Sequence, residues 1–433
     1  MNRSRKLIAA IVAICAVATV AVSAALVLRK QPPIPPQRMS TAKLQSLAAS
    51  HPTPEILLQL FERCYDSGDR PGALKVARQM VHQFPTDPRS HNALGIAYSV
   101  LNDPEAARAA FQNAISLNSR YVDAYVNRAR LSLAQGDEQR AINEFDMATA
   151  VDPNSASAWT GLGEANAKLY NGPEATEAFQ RAIEIAPDRP QAHSHLGAFE
   201  AEMGNGDRAR PQLKKAEELG ERSTTLYEGF AMAYADQPQS QDELKLALQY
   251  ADKAEQLGSR SGLLYYARGL ALQRLGRYDD AIASFKKVML ASDNANGAWI
   301  GLSQCYRAQG KTKLADEAAK TGERILAERQ HILNLRHEIK VSPNRLDVRL
   351  QYGDALISNG QYLMAADQFR YVAIHSPDKP QLWLKAAHAF DLAGEKQLAA
   401  YVRGLAAGKP GSSHAGSREP ARQTASGGAD GSG

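Results

Sequence analysis

The pattern that most constrains this chain is a repeat of 34 residues, which runs from Pro54 onward. Two alanine positions, one phenylalanine position and one glycine-or-alanine position all keep this step in a single register. The series are Ala107, Ala141, Ala175 and Ala209; Phe111, Phe145 and Phe179; Ala114, Ala148, Ala182 and Ala216; and Gly95, Ala129, Gly163 and Gly197. Self-similarity at such a period is typical of stacked repeat architectures. We therefore expect one quasi-linear domain in place of several globular ones.

Each repeat has the residue pattern of two antiparallel helices. Small residues recur where the helices approach closely, and large apolar residues lie three or four positions away on the same face. Turn-forming residues separate the two helices, as in Asn102-Asp103-Pro104 and Gln135-Gly136-Asp137. A single repeat cannot bury its apolar face alone, so we expect stability to arise from the stacking of neighbours.

These positions resemble the tetratricopeptide repeat (TPR) family, whose units carry an aromatic residue, Leu-Gly, Tyr, then Ala, Phe, Ala and a closing Pro. The best match spans residues 156–189, with Trp159, Leu162-Gly163, Ala175, Phe179, Ala182 and Pro187. The resemblance implies an all-α fold, namely an α-solenoid that forms a right-handed superhelix of about ten helix-turn-helix repeats; the apolar run described below adds one transmembrane helix before it.

The register places TPR repeats 1–8 at residues 54–322 and repeats 9–10 at residues 346–403. The repeats begin at Pro54, Pro88, Val122, Ala156, Pro190, Thr224, Gly262, Asn296, Leu346 and Pro380. Residues 323–345 interrupt the array, and their apolar residues recur at helical spacing. They predict a long or additional helix that joins the two blocks. A docking helix for a partner is the alternative.

Residues 7–28 form an uncharged apolar run of 22 residues behind a basic N-terminus at residues 1–6. As a helix this run is about 33 Å long, enough to cross a hydrocarbon core of about 30 Å. We predict an uncleaved transmembrane helix or signal anchor. Val22-Ser23-Ala24 resembles a small-residue cleavage site, so a removed signal peptide and a secreted product are the alternative. Residues 29–43 form a Pro-rich linker, and residues 404–433 form a disordered Gly/Ser-rich tail.

The positive charge of the chain is concentrated beside the predicted anchor. Residues 1–43 hold seven Lys and Arg and no acidic residue, so the rest of the chain sums to −2 although the whole carries +5. The array therefore has no excess of positive charge with which to bind nucleic acid. Basic residues flank the apolar run almost equally, and the short basic N-terminus favours a cytoplasmic N-terminus with extracytoplasmic repeats, periplasmic in a bacterium.

No motif in the sequence indicates catalysis. The GxGxxA pattern at residues 204–209 falls in a predicted turn and does not follow a strand. The histidine pairs at 193/195 and 331/337 do not place two ligands on one helix face. Cys64 and Cys305 are expected to be buried free thiols, with a bridge between them as the alternative. We expect no enzyme activity, cofactor, metal or small-molecule substrate.

In the resembling family, the first helix of each repeat lines a concave groove that holds an extended peptide or a partner helix. The register places these side chains on that face: Asn92, Asn127, Arg130, Thr160, Glu164, Lys168, Ser194, Glu228, Tyr266, Gln273, Arg274, Gln304, Arg307, Lys385 and His388. Asn92 and Ile96 stand where the family's clamp for chaperone C-termini requires Lys and Asn, so that clamp is absent.

The sequence thus predicts a non-catalytic, membrane-anchored TPR scaffold that binds a protein or peptide partner through its groove. The alternative is an accessory subunit of a membrane-associated biogenesis or export enzyme complex.

Overall fold

The computed structural model describes residues 39–291 and 296–407, and every regular element in these ranges is an α-helix. The predicted all-α repeat fold is confirmed there. The 21 helices are α1 Thr41–Ser50, α2 Pro54–Asp66, α3 Arg70–Gln83, α4 Pro88–Val100, α5 Pro104–Leu117, α6 Val122–Ala134, α7 Glu138–Val151, α8 Ala156–Lys168, α9 Gly172–Ile185, α10 Pro190–Glu202, α11 Gly206–Glu218, α12 Thr224–Asp236, α13 Gln241–Gln256, α14 Gly262–Arg274, α15 Tyr278–Ala291, α16 Asn296–Ala308, α17 Thr312–Val341, α18 Leu346–Ser358, α19 Tyr362–Ile374, α20 Pro380–Leu392 and α21 Lys396–Ala406.

The first helix of every repeat begins at the residue where the 34-residue register begins. Local capping explains several of these starts. The hydroxyls of Thr53 and Ser155 accept a hydrogen bond from the backbone N–H three residues later, and Asp87 accepts one from Arg89 N–H. Such side chains satisfy amides that have no partner inside the helix.

Most first helices end in a turn residue with positive φ. Glycine occupies this place in most repeats, for example Gly136 with φ 72° and Gly276 with φ 75°. Asn102 occupies it in repeat 2, and Tyr170 occupies it in repeat 4 with φ 58°. A bulky residue in this conformation costs of order 1–3 kcal/mol, so Tyr170 is an exception that needs a reason.

In five of the repeats, the two helices meet where a glycine faces a large apolar side chain 16 residues later. The phenylalanines in this contact are at most 2% exposed, and a Cβ added to the glycine would lie 2.5–2.6 Å from a ring carbon. The pairs are Gly95 with Phe111, Gly163 with Phe179, Gly269 with Phe285 and Gly353 with Phe369. Repeat 5 uses Leu213 against Gly197 in the same way. Only a residue without a side chain lets the two helices approach this closely.

The chain divides into two compact bodies, Met1–Leu131 with Ala150–Pro153, and Ser132–Thr149 with Asn154–Gly433. In the first body, the described core of repeat 1 includes Leu57, Phe61 and Met80. In the second body, one core runs through repeats 5–8 and another joins Leu169 to the last two repeats. Within the second body, neighbouring first helices pack directly on one another, as in α10, α12 and α14.

The predicted interrupting helix at 323–345 is the second half of a longer helix. Helix α17 has 30 residues and starts at Thr312 as the second helix of repeat 8. Its sequence has no proline before Val341, so nothing in the backbone ends it at residue 322. Leu335 is 3% exposed and packs with Leu169, Val348 and Tyr352. The apolar side of this segment is thus covered at Leu335 by other parts of the same chain.

Two predicted boundaries differ from the structure. Helix α1 begins at Thr41, inside the predicted linker 29–43, because Ser40 caps it and Leu44 is buried against repeat 1. Helix α21 extends to Ala406, inside the predicted tail 404–433, and its Val402 is buried in the last core. The basic N-terminus 1–6, the predicted anchor 7–28, the first part of the linker and the tail beyond residue 407 lie outside the described residues.

The structure also bears on the membrane and thiol predictions. Within 39–291 and 296–407, no helix combines the length and the apolar character needed to cross a bilayer. Cys64 and Cys305 are both free and buried. Burial raises the pKa of Cys64 and raises that of Cys305 to about 11, so both side chains remain thiols at neutral pH.

We expect Gly163→Ala to destabilise the array, because the new methyl group would lie 2.6 Å from the ring of Phe179. Overpacking of this kind costs about 1–3 kcal/mol. The matched control is Gly172→Ala, because a Cβ at Gly172 has no atom within 4 Å. Urea unfolding of the two variants measures the difference, and equal midpoints would show that the glycine contact does not determine helix approach.

Candidate functional site

The predicted groove residues lie on the first helices, and several of them pair across neighbouring repeats. His195 Nε2 lies 3.2 Å from Glu164 Oε1, Gln273 Nε2 donates to Gln304 Oε1 at 2.7 Å, and Lys385 Nζ donates to Asp354 Oδ1 at 2.7 Å. Each pair joins residues that are 31 positions apart. We call this set of cross-repeat contacts the first-helix ladder.

The first body contains a related contact at a slightly different spacing. Asn127 Nδ2 donates to Asn92 Oδ1 at 3.0 Å, and Asn92 Nδ2 donates to the Tyr121 hydroxyl at 3.4 Å. Burial raises the pKa of Tyr121 to about 12, so its hydroxyl stays protonated. These side chains link repeat 2 to repeat 3 in the same way that the first-helix ladder links later repeats.

Three of the predicted groove residues are buried and form hydrogen bonds within the protein. Asn92 is 7% exposed and Thr160 is 8% exposed, with the Thr160 hydroxyl donating to Ala156 O at 2.8 Å. Ser194 is 0% exposed and donates to Gln191 O and to Glu221 Oε1, both at 2.9 Å. A partner on the surface would not reach these polar atoms.

The other predicted groove residues are accessible to different degrees. Asn127, Glu164, Glu228, Tyr266 and Gln273 are half-buried, and the remainder are exposed, namely Arg130, Lys168, Arg274, Gln304, Arg307, Lys385 and His388. Arg274 lies 3.9 Å from Asp236, and Arg307 lies 3.5 Å from Asp316. Exposed ion pairs are worth at most about 1 kcal/mol, so a partner can compete with these acids for the arginines.

Two half-buried residues of the predicted set have defined partners. Glu228 accepts a short hydrogen bond from the Ser259 hydroxyl. The Tyr266 ring is tilted on Phe285 with 6.0 Å between ring centroids. Desolvation raises the pKa of Tyr266. Tyr266 therefore presents a neutral hydroxyl beside Gly297, the second residue of α16.

Three residues of this face were not predicted from the sequence. His195, Asp236 and Asp354 belong to it through their contacts with Glu164, Arg274 and Lys385. For His195 and Asp354 the signal was an offset of 31 residues between positions on neighbouring first helices, whereas Asp236 lies 38 residues before Arg274. A comparison of residues that are 34 positions apart does not show these offsets.

A second candidate site forms where α17 returns to repeats 3 and 4, inside the second body. The Arg329 guanidinium lies 3.5 Å from the centroid of the Tyr170 ring. Arg336 donates a short hydrogen bond to Leu169 O, and Lys340 Nζ donates to Glu174 Oε1 at 2.8 Å. Burial lowers the pKa of Arg336, which remains a cation in spite of this. We call these residues the return contact.

The return contact borders a cavity of about 420 Å³. The turns of repeats 3, 4, 9 and 10 line it together with α17, and its polar and aromatic lining includes Glu138, Lys168, Tyr170, Arg329, Arg336, Tyr352, Asn359, Gln361 and Tyr362. Of these residues only Lys168 was predicted as a site residue. No sequence signal could locate the cavity, because the second half of α17 lies outside the repeat register.

His193 and the glycine motif have structural roles. His193 contacts Gln212 Oε1 at 2.7 Å and Pro187 O at 3.0 Å. Gly204 lies in the turn between α10 and α11 with φ 78°, as the turn interpretation predicts. Within the described ranges, no group of three or more His, Cys, Asp or Glu side chains could hold a metal ion.

Comparison with known proteins agrees with this architecture of helix-pair repeats. A tetratricopeptide repeat family model matches residues 58–118, 92–150, 126–190 and 266–331. Residues 58–190 and 266–331 thus consist of tetratricopeptide repeats. No curated protein sequence matches it.

The solved structures that match this chain have low sequence identity to it. A tetratricopeptide repeat protein from Parabacteroides merdae is 20% identical, with 57% of this chain and 97% of that chain covered and a TM-score of 0.42. Pseudomonas aeruginosa PilF is 15% identical, with 54% and 93% covered and a TM-score of 0.37. YrrB, described as a TPR protein with an unusual peptide-binding site, is 22% identical, with 49% and 100% covered and a TM-score of 0.32.

We expect Leu335→Ala to destabilise the second body, because this side chain joins α17 to Leu169 and the last repeats. Truncation of a buried leucine costs about 2–5 kcal/mol. The matched control on the same helix is Leu326→Ala, because Leu326 is 47% exposed. Its expected effect is within about 0.5 kcal/mol. Urea unfolding compares the two, and a small effect for both would show that Leu335 does not join α17 to Leu169 and the last repeats.

Proposed function

We propose that this chain is a non-catalytic scaffold whose first-helix face binds a segment of a protein partner, and that residues 7–28 anchor it in a membrane. The observation that carries the proposal is the first-helix ladder. It joins polar side chains of successive first helices into a surface on which many modest contacts add up.

The residues of this face suit recognition by hydrogen bonds and charge. Arg130 and His388 are exposed and have no ion pair or hydrogen bond in the described part of the chain. Lys385, Arg274 and Gln304 hold partners only through solvent-accessible contacts. An extended segment with carbonyl and carboxylate groups offers the acceptors that these donors require.

The membrane part of the proposal rests on the sequence of residues 1–43. The apolar run at 7–28 has the length of a bilayer span, and the basic N-terminus before it favours a cytoplasmic N-terminus with the repeats on the other side. The proline-rich residues that follow would act as an extended spacer. An anchor of this kind would hold the first-helix face beside a membrane-bound or secreted partner.

The binding proposal is tested by site-specific photocrosslinking in cells. A photoreactive residue at Arg130 or Arg274 should crosslink a defined partner, because both side chains are exposed on the first-helix face. The matched controls are Gln180 and Lys214, which are exposed on second helices. Crosslinks from the second helices alone would overturn the proposal.

The anchor proposal is tested by alkaline extraction of membranes, followed by protease treatment of cells whose outer barrier is opened. A spanning helix should keep the protein in the membrane pellet, and protease should cleave the repeats from outside the cytoplasm. Release at alkaline pH would contradict the anchor. Full protection of the repeats from protease would instead indicate that they lie on the cytoplasmic side.

A further inference from the structure

The cavity beside the return contact carries an excess of positive charge. Three of its lining side chains are cations, Lys168, Arg329 and Arg336, and Glu138 is the one acidic residue among them. Arg329 and Arg336 are half-buried, so their charges are screened less than they would be on an open surface. The lining of the cavity thus carries more positive than negative charge.

None of the three cations forms an ion pair with a carboxylate in the described ranges. Arg336 donates to a backbone carbonyl, Arg329 lies on the Tyr170 ring, and Lys168 has no hydrogen bond. Desolvation raises the pKa of the nearby Glu202, and the charges of Arg329 and Lys168 offset only part of that rise. The remaining arginine of α17, Arg324, differs because it pairs with Glu328 at 2.7 Å.

Glu138 is the one acidic residue of the lining, and its Oε2 is buried and receives no hydrogen bond in the described structure. Because this oxygen has almost no exposed surface, a ligand in the cavity cannot contact it.

Tyr170 gives a further indication of a specialised site. Its backbone is held at φ 58°, where most of the other repeats have glycine, and its ring lies under Arg329 at the edge of the cavity. Strained residues of this kind cluster at ligand-binding sites. The Tyr170 ring and the Arg329 guanidinium both line the cavity.

We propose that this cavity binds an acidic segment of a protein partner. Carboxylate side chains of the segment pair with Lys168, Arg329 and Arg336. The volume of about 420 Å³ is large enough for a few residues of an extended peptide. The inference rests on the proposed scaffold function and names the chemistry of one part of the partner.

The site depends on α17 and differs from the ladder of the first helices. Arg329 and Arg336 come from α17, and Lys168 is the last residue of α8. A segment bound here would hold α17 against repeats 3 and 4, because it would bridge cations on both sides of the return contact. The same ligand would therefore raise the stability of the second body.

The test uses the full chain in non-ionic detergent and a fluorescein-labelled hexaglutamate with a blocked C-terminus. Fluorescence anisotropy measures its affinity, with hexaglutamine as the neutral probe. We expect hexaglutamate alone to bind, with an affinity that falls as salt rises. The double variant Lys168→Gln/Arg329→Gln should weaken it about tenfold or more. Arg329→Lys should restore part of the affinity, because it keeps the charge.

The matched control is Lys340→Gln. This residue lies on the same helix and belongs to the return contact, but it does not line the cavity. The substitution also removes one positive charge, and we expect the affinity to change by less than about twofold. Circular dichroism and the urea midpoint of each variant report whether it is folded, and only folded variants enter the comparison.

The outcomes separate this inference from the scaffold proposal. No hexaglutamate binding, equal affinity in the double variant, or equal loss in Lys340→Gln would each overturn the inference. Competition by inorganic phosphate at the concentration of the peptide would overturn it in favour of a simple anion site. Photocrosslinks from Arg130 or Arg274 without hexaglutamate binding would leave the scaffold proposal standing and remove the acidic-segment site alone.

Discussion

The close contact between a glycine of a first helix and a large apolar residue 16 positions later sets the geometry on which the rest depends. Phe179 is 1% exposed, and no Cβ would fit between its ring and Gly163. Because the two helix axes can approach this closely, the small alanines around them also become buried. The same contact recurs at Gly269 and Phe285. Each recurrence gives the next repeat an equivalent surface to pack on.

Regular stacking places equivalent side chains of neighbouring first helices at a constant offset, and the polar ladder follows from it. Glu164 with His195 and Asp354 with Lys385 keep the same offset in different parts of the second body. These accessible contacts add little stability. Their consequence is an ordered row of donors and acceptors on one face, which is the property that a peptide-binding scaffold needs.

Helix α17 breaks the repetition and thereby creates a site with different chemistry. Its first half completes repeat 8, and its second half continues past the point where a second helix normally ends. Leu335 provides the apolar contact of the return, while Arg329 and Arg336 bring cations to a cavity that also holds Lys168. Tyr170, which stands where most other repeats have a turn glycine, lines the same cavity. Without this return of α17, the turns of repeats 3, 4, 9 and 10 would not share a cavity with it.

The sequence by itself determined the start of every repeat, the capping residues and the glycine–phenylalanine spacing, because each depends on residues within one 34-residue period. It also placed Lys168 and Lys385 on first helices, where both are exposed. Only the tertiary structure decided that Ser194 is buried, that Asp354 pairs with Lys385, and that Arg336 reaches Leu169 O across 167 positions. The physical reason is the separation along the chain between the residues that make each contact. A period records contacts between neighbours, whereas the return of α17 depends on how many small rotations accumulate along the stack.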